Sequence, residues 1–137
     1  MLARLGSKIR QLLQVVTSMS LDATQELLVL GSTALPQDNS PSKFCLSLPV
    51  LHGRFTGTGD LMAALLLAHV STTPAKVASA VERAVASVQA VLMDTKKWAS
   101  SNACEQPDSV RAHELRLVQN QQAILQPVVS SMAHALR

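Results

Sequence analysis

The sequence predicts an α/β fold with three to five strands and packed helices, and three observations predict it. Short apolar runs of strand length occupy the first third of the chain. A long helical periodicity occupies its centre. Between them a glycine-rich turn, Phe55-Thr56-Gly57-Thr58-Gly59-Asp60, runs straight into the apolar stretch Leu61 to Ala68. At 137 residues the chain can bury one moderate core. A hydrophobic content of 47% excludes a disordered chain. Charged residues at 15% and aromatics at 2%, with no tyrosine, argue against a nucleic-acid surface, which needs basic clusters and stacking rings. The strands are few for a free-standing doubly wound domain, so the chain is expected to be an incomplete fold.

Leu2 to Leu13 reads as a helix, with Leu2, Leu5, Ile9, Leu12 and Leu13 at helical spacing. Gln14 to Ser18 reads as a buried strand. In open α/β sheets ligands sit at the carboxyl ends of strands, so Thr17 and Ser18 are candidate phosphate contacts; a strand ending in two turn residues is the plainer alternative. Leu21 to Thr24 is a turn. Glu26 to Gly31 is a second strand ended by its glycine. Ser32 to Lys43, with Pro36, Asp38, Asn39 and Pro41, is a loop. Phe44 to Leu48 alternates as a third strand, and Pro49 ends it or places it at an edge. Val50 to Arg54 leads into the glycine-rich turn.

After the turn's helix, Thr73-Pro74 signals a new start, with the threonine as N-cap. Val77, Val81, Ala84, Val85, Val88, Val91, Leu92 and Trp98 then keep helical spacing. Ser100 to Ser109 is a polar loop. His113 to Gln119 alternates weakly and is expected to be an edge strand. The tail from Asn120 is read as a short helix and then a strand. His52, His69, His113 and His134 form no cluster, and His69, near a helix end, is expected to be a helix-end cation. Cys45 and Cys104 have no metal or disulfide spacing, so reduced thiols in an intracellular protein are expected. The run Leu61 to Ala68 is too short to span a bilayer.

The turn carries the chemistry. Glycine allows positive φ and close backbone approach. A helix start adds unpaired N–H groups and positive partial charge, which together suit an anion, most often phosphate. Two familiar motifs fail. Met62 stands where a dinucleotide fingerprint needs its third glycine, and Asp60-Leu61 follow Gly59 where a P-loop needs lysine. Asp60 would repel an anion that is only bound. Its place makes sense if the carboxylate takes a proton from a group attacking that phosphate. The simpler alternative is a tight turn whose aspartate stabilises the helix start by roughly 0.3–1 kcal/mol.

Several segments coincide, in order, with one family. They are Val15-Val16-Thr17-Ser18, Leu27-Leu28-Val29-Leu30-Gly31-Ser32, Leu48-Pro49, Phe55 to Leu67, and Glu114-Leu115-Arg116-Leu117-Val118-Gln119. Over most of its length the chain resembles the C-terminal portion of pyridoxal kinase, in the ribokinase-like superfamily. The resemblance implies the C-terminal part of a ribokinase-like sandwich, with residues 1–137 as its ATP- and phosphate-binding part. It implies transfer of the γ-phosphoryl of ATP to the 5′-hydroxyl of pyridoxal, pyridoxine or pyridoxamine, using Mg²⁺. It makes Asp60 the catalytic base, in contact with the substrate hydroxyl, and the amides of Gly57, Thr58 and Gly59 the anion hole. Thr17 and Thr58 match ATP contacts with Ser18 adjacent, and Leu48, Pro49, Val50 and Leu51 lie beside the adenine. Val50 departs from the family, which often has a basic residue there.

Enzymes of this family are much longer, and the additional length lies upstream. It includes most of the vitamin pocket, the lid and much of the dimer contact. The chain is therefore expected to be a fragment, a truncated gene model or a splice product, with a homodimer expected of a full-length enzyme. Two other functions compete. One is a hydroxymethylpyrimidine-type kinase, although such enzymes often carry cysteine where Asp60 stands. The other is a non-catalytic module that binds nucleotide or another subunit. No nucleic-acid or membrane partner is expected. A cytoplasmic location is expected, with organelle targeting through Arg4, Lys8 and Arg10 as the alternative.

Overall fold

A computed structural model describes residues 12–20, 26–34, 42–101 and 113–136. It divides into two compact units. The first spans Met1–Leu48 with Ala133–Arg137, and the second spans Pro49–Met132. Among the described residues no helix is long and apolar enough to cross a membrane.

The first unit is a four-stranded sheet in the order β1-β2-β3-β4. The strands are β1 Leu12–Ser20, β2 Glu26–Ala34, β3 Ser42–Pro49 and β4 His134–Leu136. β1 pairs antiparallel with β2, and β3 pairs antiparallel with β4. Phe44, Leu46 and Leu48 alternate along β3 and are buried, as is Val29 of β2. This two-residue period places one face of the strand inward. Ser47 Oγ donates to Glu26 Oε2 at 2.6 Å, tying β3 to β2 on the exposed side.

Several expectations need correction here. Leu12 and Leu13 belong to β1, not to a helix, because they pair with Ala34 and Thr33. The rest of the expected N-terminal helix lies outside the described residues, as does the turn from Leu21 to Thr24. Gly31 does not end its strand. It sits inside β2, opposite Val15, and the strand runs on through Ser32, Thr33 and Ala34. The expected loop is thus strand at both ends, with Ser42 and Lys43 opening β3.

The reason for a glycine inside β2 is steric. A Cβ built on Gly31 would lie 2.1 Å from Phe44 Cζ and within 2.6 Å of two further ring carbons. The ring covers bare backbone, which a side chain would displace. Gly31→Ala is therefore expected to destabilise by about 1–3 kcal/mol, the usual cost of overpacking a filled core. Thermal unfolding checks this, and Phe44→Leu in the same background should recover part of the loss.

The second unit is helical. It contains α1 Thr58–Thr72, α2 Val77–Ser101 and α3 Gln121–Leu125. Along α2 the stripe Val77, Ala80, Val81, Ala84, Val85, Val88 and Val91 is buried, at the helical spacing the sequence shows. Ser87 and Thr95 are also fully buried on α2, and both are satisfied. Ser87 Oγ donates to the Ala123 carbonyl at 3.1 Å, and Thr95 Oγ1 donates to the Val91 carbonyl at 2.8 Å.

Thr73 is not the N-cap of α2. It caps the end of α1, where its N–H and its hydroxyl each donate to the His69 carbonyl at 3.0 Å. The last carbonyls of α1 need donors, and threonine supplies two. The next helix starts at Val77, after a turn closed by Lys76 N–H to the Thr73 carbonyl at 3.0 Å.

Candidate active site

The glycine-rich turn takes the form its residues demand. Gly57 stands at the N-cap of α1 with φ 90° and ψ 6°, the left-handed region that glycine enters without steric cost. The first intrahelical bond runs from Leu61 N–H to the Gly57 carbonyl at 3.0 Å. The N–H groups of Thr58, Gly59 and Asp60 therefore have no intrahelical partner. No side chain caps this end. Gly57, Gly59 and Asp60 are exposed and Thr58 is half-buried. A Cβ on Gly59 would meet nothing within 4 Å, so open space lies in front of it. Asp60 lies in the first helical turn. The arrangement is an uncapped, positively polarised helix end with one carboxylate on it.

The turn is held from behind by the segment at 113–116. Thr56 N–H donates to the His113 carbonyl at 2.9 Å, and Thr56 forms a parallel bridge with Glu114. His113 Nδ1 lies 3.2 Å from the Arg54 carbonyl. Leu115 Cδ1 is 4.0 Å from the position a Cβ on Gly57 would take. The expected edge strand from His113 to Gln119 is thus a single bridge. Residues 117–120 turn instead, with Asn120 N–H donating to the Leu117 carbonyl at 3.1 Å. The turn leads into α3, so the weak alternation found no ladder to join.

A polar cluster fastens this segment to α2. Arg116 Nε donates to Asp94 Oδ2 at 3.1 Å, and Asn120 Nδ2 donates to the same oxygen at 2.9 Å. Arg116 N–H donates to Thr95 Oγ1 at 3.2 Å, and the guanidinium carbon lies 5.0 Å from the centroid of Trp98. The hydrogen bond from Asn120 first, and with it the hydrogen bond and charge of Arg116 and the charge of Lys97, hold the Asp94 carboxyl below its ordinary range against the opposing effect of burial. Sequence reasoning missed this cluster. Its partners are 22 and 26 residues apart, beyond any local spacing rule.

Beside it, Leu51, Met93, Asp94, Lys96, Lys97 and Ser100 line a groove of about 480 Å³. Leu51 is the adenine-side candidate that the structure places in a recess. Val50 is half-buried in the approach to the turn, and Pro49 closes β3. In the sheet unit, Leu48 is buried on β3. Thr17 and Ser18 lie within β1, where the pairing with β2 shifts between Val16 and Met19. They do not end their strand, which continues to Ser20, and the pairing is antiparallel. The rule for the carboxyl ends of parallel strands therefore does not apply to them.

His69 behaves otherwise than a helix-end cation. Its Nε2 is buried and makes no hydrogen bond. Burial first, and the Arg83 charge second, hold its pKa below the ordinary value. Both disfavour imidazolium. A folded pKa below the unfolded one gives stability that is full above about pH 6.5 and lost as pH falls through the folded pKa. The melting temperature is expected to drop on acidification from pH 7.5 to 5, and His69→Leu should flatten that dependence. An unchanged slope in the variant would assign the acid sensitivity elsewhere.

Among the described residues no group of three or more His, Cys, Asp and Glu side chains could hold a metal ion. At the turn, Asp60 is the carboxylate available.

No family model matches the chain. It is 34% identical to the pyridoxal kinase of Arabidopsis thaliana over 119 residues, which is 87% of this chain and 37% of that protein. It is 32% identical to the pyridoxal kinase of Dictyostelium discoideum over 117 residues, 80% of this chain and 37% of that one. The crystal structure of pyridoxal kinase from Trypanosoma brucei matches with a TM-score of 0.68 at 27% identity, over 89% of this chain and 38% of that chain. The Leishmania donovani pyridoxal kinase in complex with ADP matches in fold with a TM-score of 0.70 at 23% identity. The chain thus spans a little over a third of the length of the curated relatives it matches, at 37% for both. By sequence and by fold the chain is homologous to the pyridoxal kinases, and its coverage fits a C-terminal portion of their ribokinase-like fold.

Proposed function

We propose that this chain is the ATP- and phosphate-binding part of an enzyme that phosphorylates the 5′-hydroxyl of pyridoxal, and of pyridoxine and pyridoxamine, in vitamin B6 salvage. One observation carries the reading. The turn Gly57 to Asp60 is an uncapped helix end with φ 90° at its glycine, in a chain homologous to pyridoxal kinases. The Leishmania donovani relative has been crystallised with ADP and pyridoxine, and the Plasmodium falciparum protein with AMP-PNP and PL.

In this reading the amides of Gly57, Thr58 and Gly59 meet the charge that develops on the transferring phosphoryl. Phosphoryl transfer depends mainly on positioning and charge stabilisation, so fixed amides are the central contribution. Asp60 accepts the hydroxyl proton as the new O–P bond forms and ADP departs. The groove lined by Leu51 and Met93 receives the adenine, with Pro49 and Val50 on the approach to it. Lys96 and Lys97 add positive charge to that groove. Thr58 contributes a hydroxyl contact to the nucleotide. Mg²⁺ commonly travels with ATP on its phosphates plus one or two carboxylates. Among the described residues no group of three or more His, Cys, Asp and Glu side chains stands ready for it.

The test has two parts. ATP binding to the chain is measured by calorimetry. Phosphorylation of pyridoxal and of hydroxymethylpyrimidine is assayed with the chain, and with a chimaera in which it replaces the corresponding part of the Arabidopsis relative. ATP binding with pyridoxal turnover in the chimaera is the expected result. Turnover of hydroxymethylpyrimidine alone would move the substrate assignment. A second reading is favoured by the share of the relatives that the chain spans, 37%. It is a module that binds nucleotide without turnover, and ATP binding with an inert chimaera would select it.

A further inference from the structure

The short segment His113 to Arg116 is fastened at both ends to parts of the proposed nucleotide site. At one end His113 and Glu114 hold Thr56, the residue before the phosphate turn, through the 2.9 Å bond and the bridge. At the other end Arg116 bonds Asp94, which lines the Leu51 groove, and lies over Trp98. Leu115, between them, has its Cδ1 4.0 Å from where a Cβ on Gly57 would sit. The groove wall and the turn are therefore linked by four consecutive residues, with Arg116 as the anchor on α2.

We propose that Arg116 is a positioning residue that keeps the turn Gly57 to Asp60 in register with the Leu51 groove. A nucleotide whose base enters the groove then presents its phosphates to the turn's amides. This rests on the nucleotide-binding reading above. Arginine suits the task because one planar group bonds a carboxylate through Nε while its face covers an aromatic ring. Lysine has the charge but neither the plane nor the Nε–H. The side chains of Arg116 and Asp94 are 25% and 40% exposed. An ion pair so exposed adds little to global stability, so its effect is expected in geometry.

The experiment compares the wild-type chain with Arg116→Met and Arg116→Lys in two arms. Calorimetry measures ADP, which needs both ends of the site, and adenosine, which needs only the groove. In Arg116→Met, ADP affinity is expected to fall about tenfold or more while adenosine affinity changes little. Arg116→Lys should restore ADP binding only in part. Amide hydrogen exchange reads the turn without any ligand. In Arg116→Met, the Thr56 and Leu61 amides should exchange about tenfold faster while those from Val81 to Val88 keep their protection. Equal losses for ADP and adenosine, or unchanged protection at Thr56, would overturn the proposal. If the wild-type chain binds neither ligand, the nucleotide reading fails. The exchange arm then still decides whether Arg116 holds the turn.

Discussion

Asp60→Asn is expected to lower pyridoxal phosphorylation in the active chimaera by about 10²–10⁴-fold, the usual worth of a positioned base. ATP affinity should stay nearly unchanged. Asparagine keeps the shape of the side chain but cannot accept the hydroxyl proton at neutral pH. The exposed carboxylate at the first turn of α1 contributes roughly 0.3–1 kcal/mol to the helix through the dipole, so the variant should fold almost as well as the parent. The two effects differ in size by enough to be told apart. A slower enzyme with an unchanged melting temperature and unchanged ATP binding is the signature of a lost base. Turnover equal to the parent's would leave Asp60 as a helix-start residue only.

The second large effect comes from the two glycines of the turn, and here stability and binding should separate. Gly57→Ala forces an L side chain to φ 90°. That costs about 1–2 kcal/mol, or else the backbone rotates and the amides behind it turn away from the anion. Space is not the difficulty, because the added Cβ would meet only Leu115 Cδ1 at 4.0 Å. Loss of one aimed donor typically costs about 10²–10³-fold in turnover. Gly59→Ala differs. Its φ is not in the left-handed region and nothing lies within 4 Å of the new methyl group. Within a helix, alanine in place of glycine stabilises by up to about 0.5–1 kcal/mol. If phosphate approaches this backbone, Gly59→Ala should melt higher yet bind ATP more weakly, whereas Gly57→Ala should lose on both counts. Thermal unfolding and calorimetry on the pair decide it, and undiminished ATP binding by Gly59→Ala would remove Gly59 from the anion hole.

Features that depend on neighbouring residues were legible in the sequence. The left-handed glycine at a helix start follows from Gly57-Thr58-Gly59 standing directly before an apolar run. The stripe from Val77 to Val91 follows from side chains recurring with the helical period, and the buried face of β3 from the alternation of Phe44, Leu46 and Leu48. Boundaries were less legible. Gly31 and Thr73-Pro74 are chain punctuation by local rules, but an aromatic ring covers the first and the end of the preceding helix recruits the second.

The sequence by itself determined the α/β class, the glycine-rich turn at a helix start with its carboxylate, and the relationship to pyridoxal kinases. Each of these is written in residues close together in the chain or matched in order along it. Only the tertiary structure decided what holds the turn. The Asp94–Arg116–Asn120 cluster and the Thr56–Glu114 bridge join residues that no periodicity connects. It also decided that His69 is disfavoured as a cation and that Thr17 and Ser18 sit at a register shift. Burial, neighbouring charge and strand pairing are properties of the folded surroundings, and a linear chain does not carry them locally.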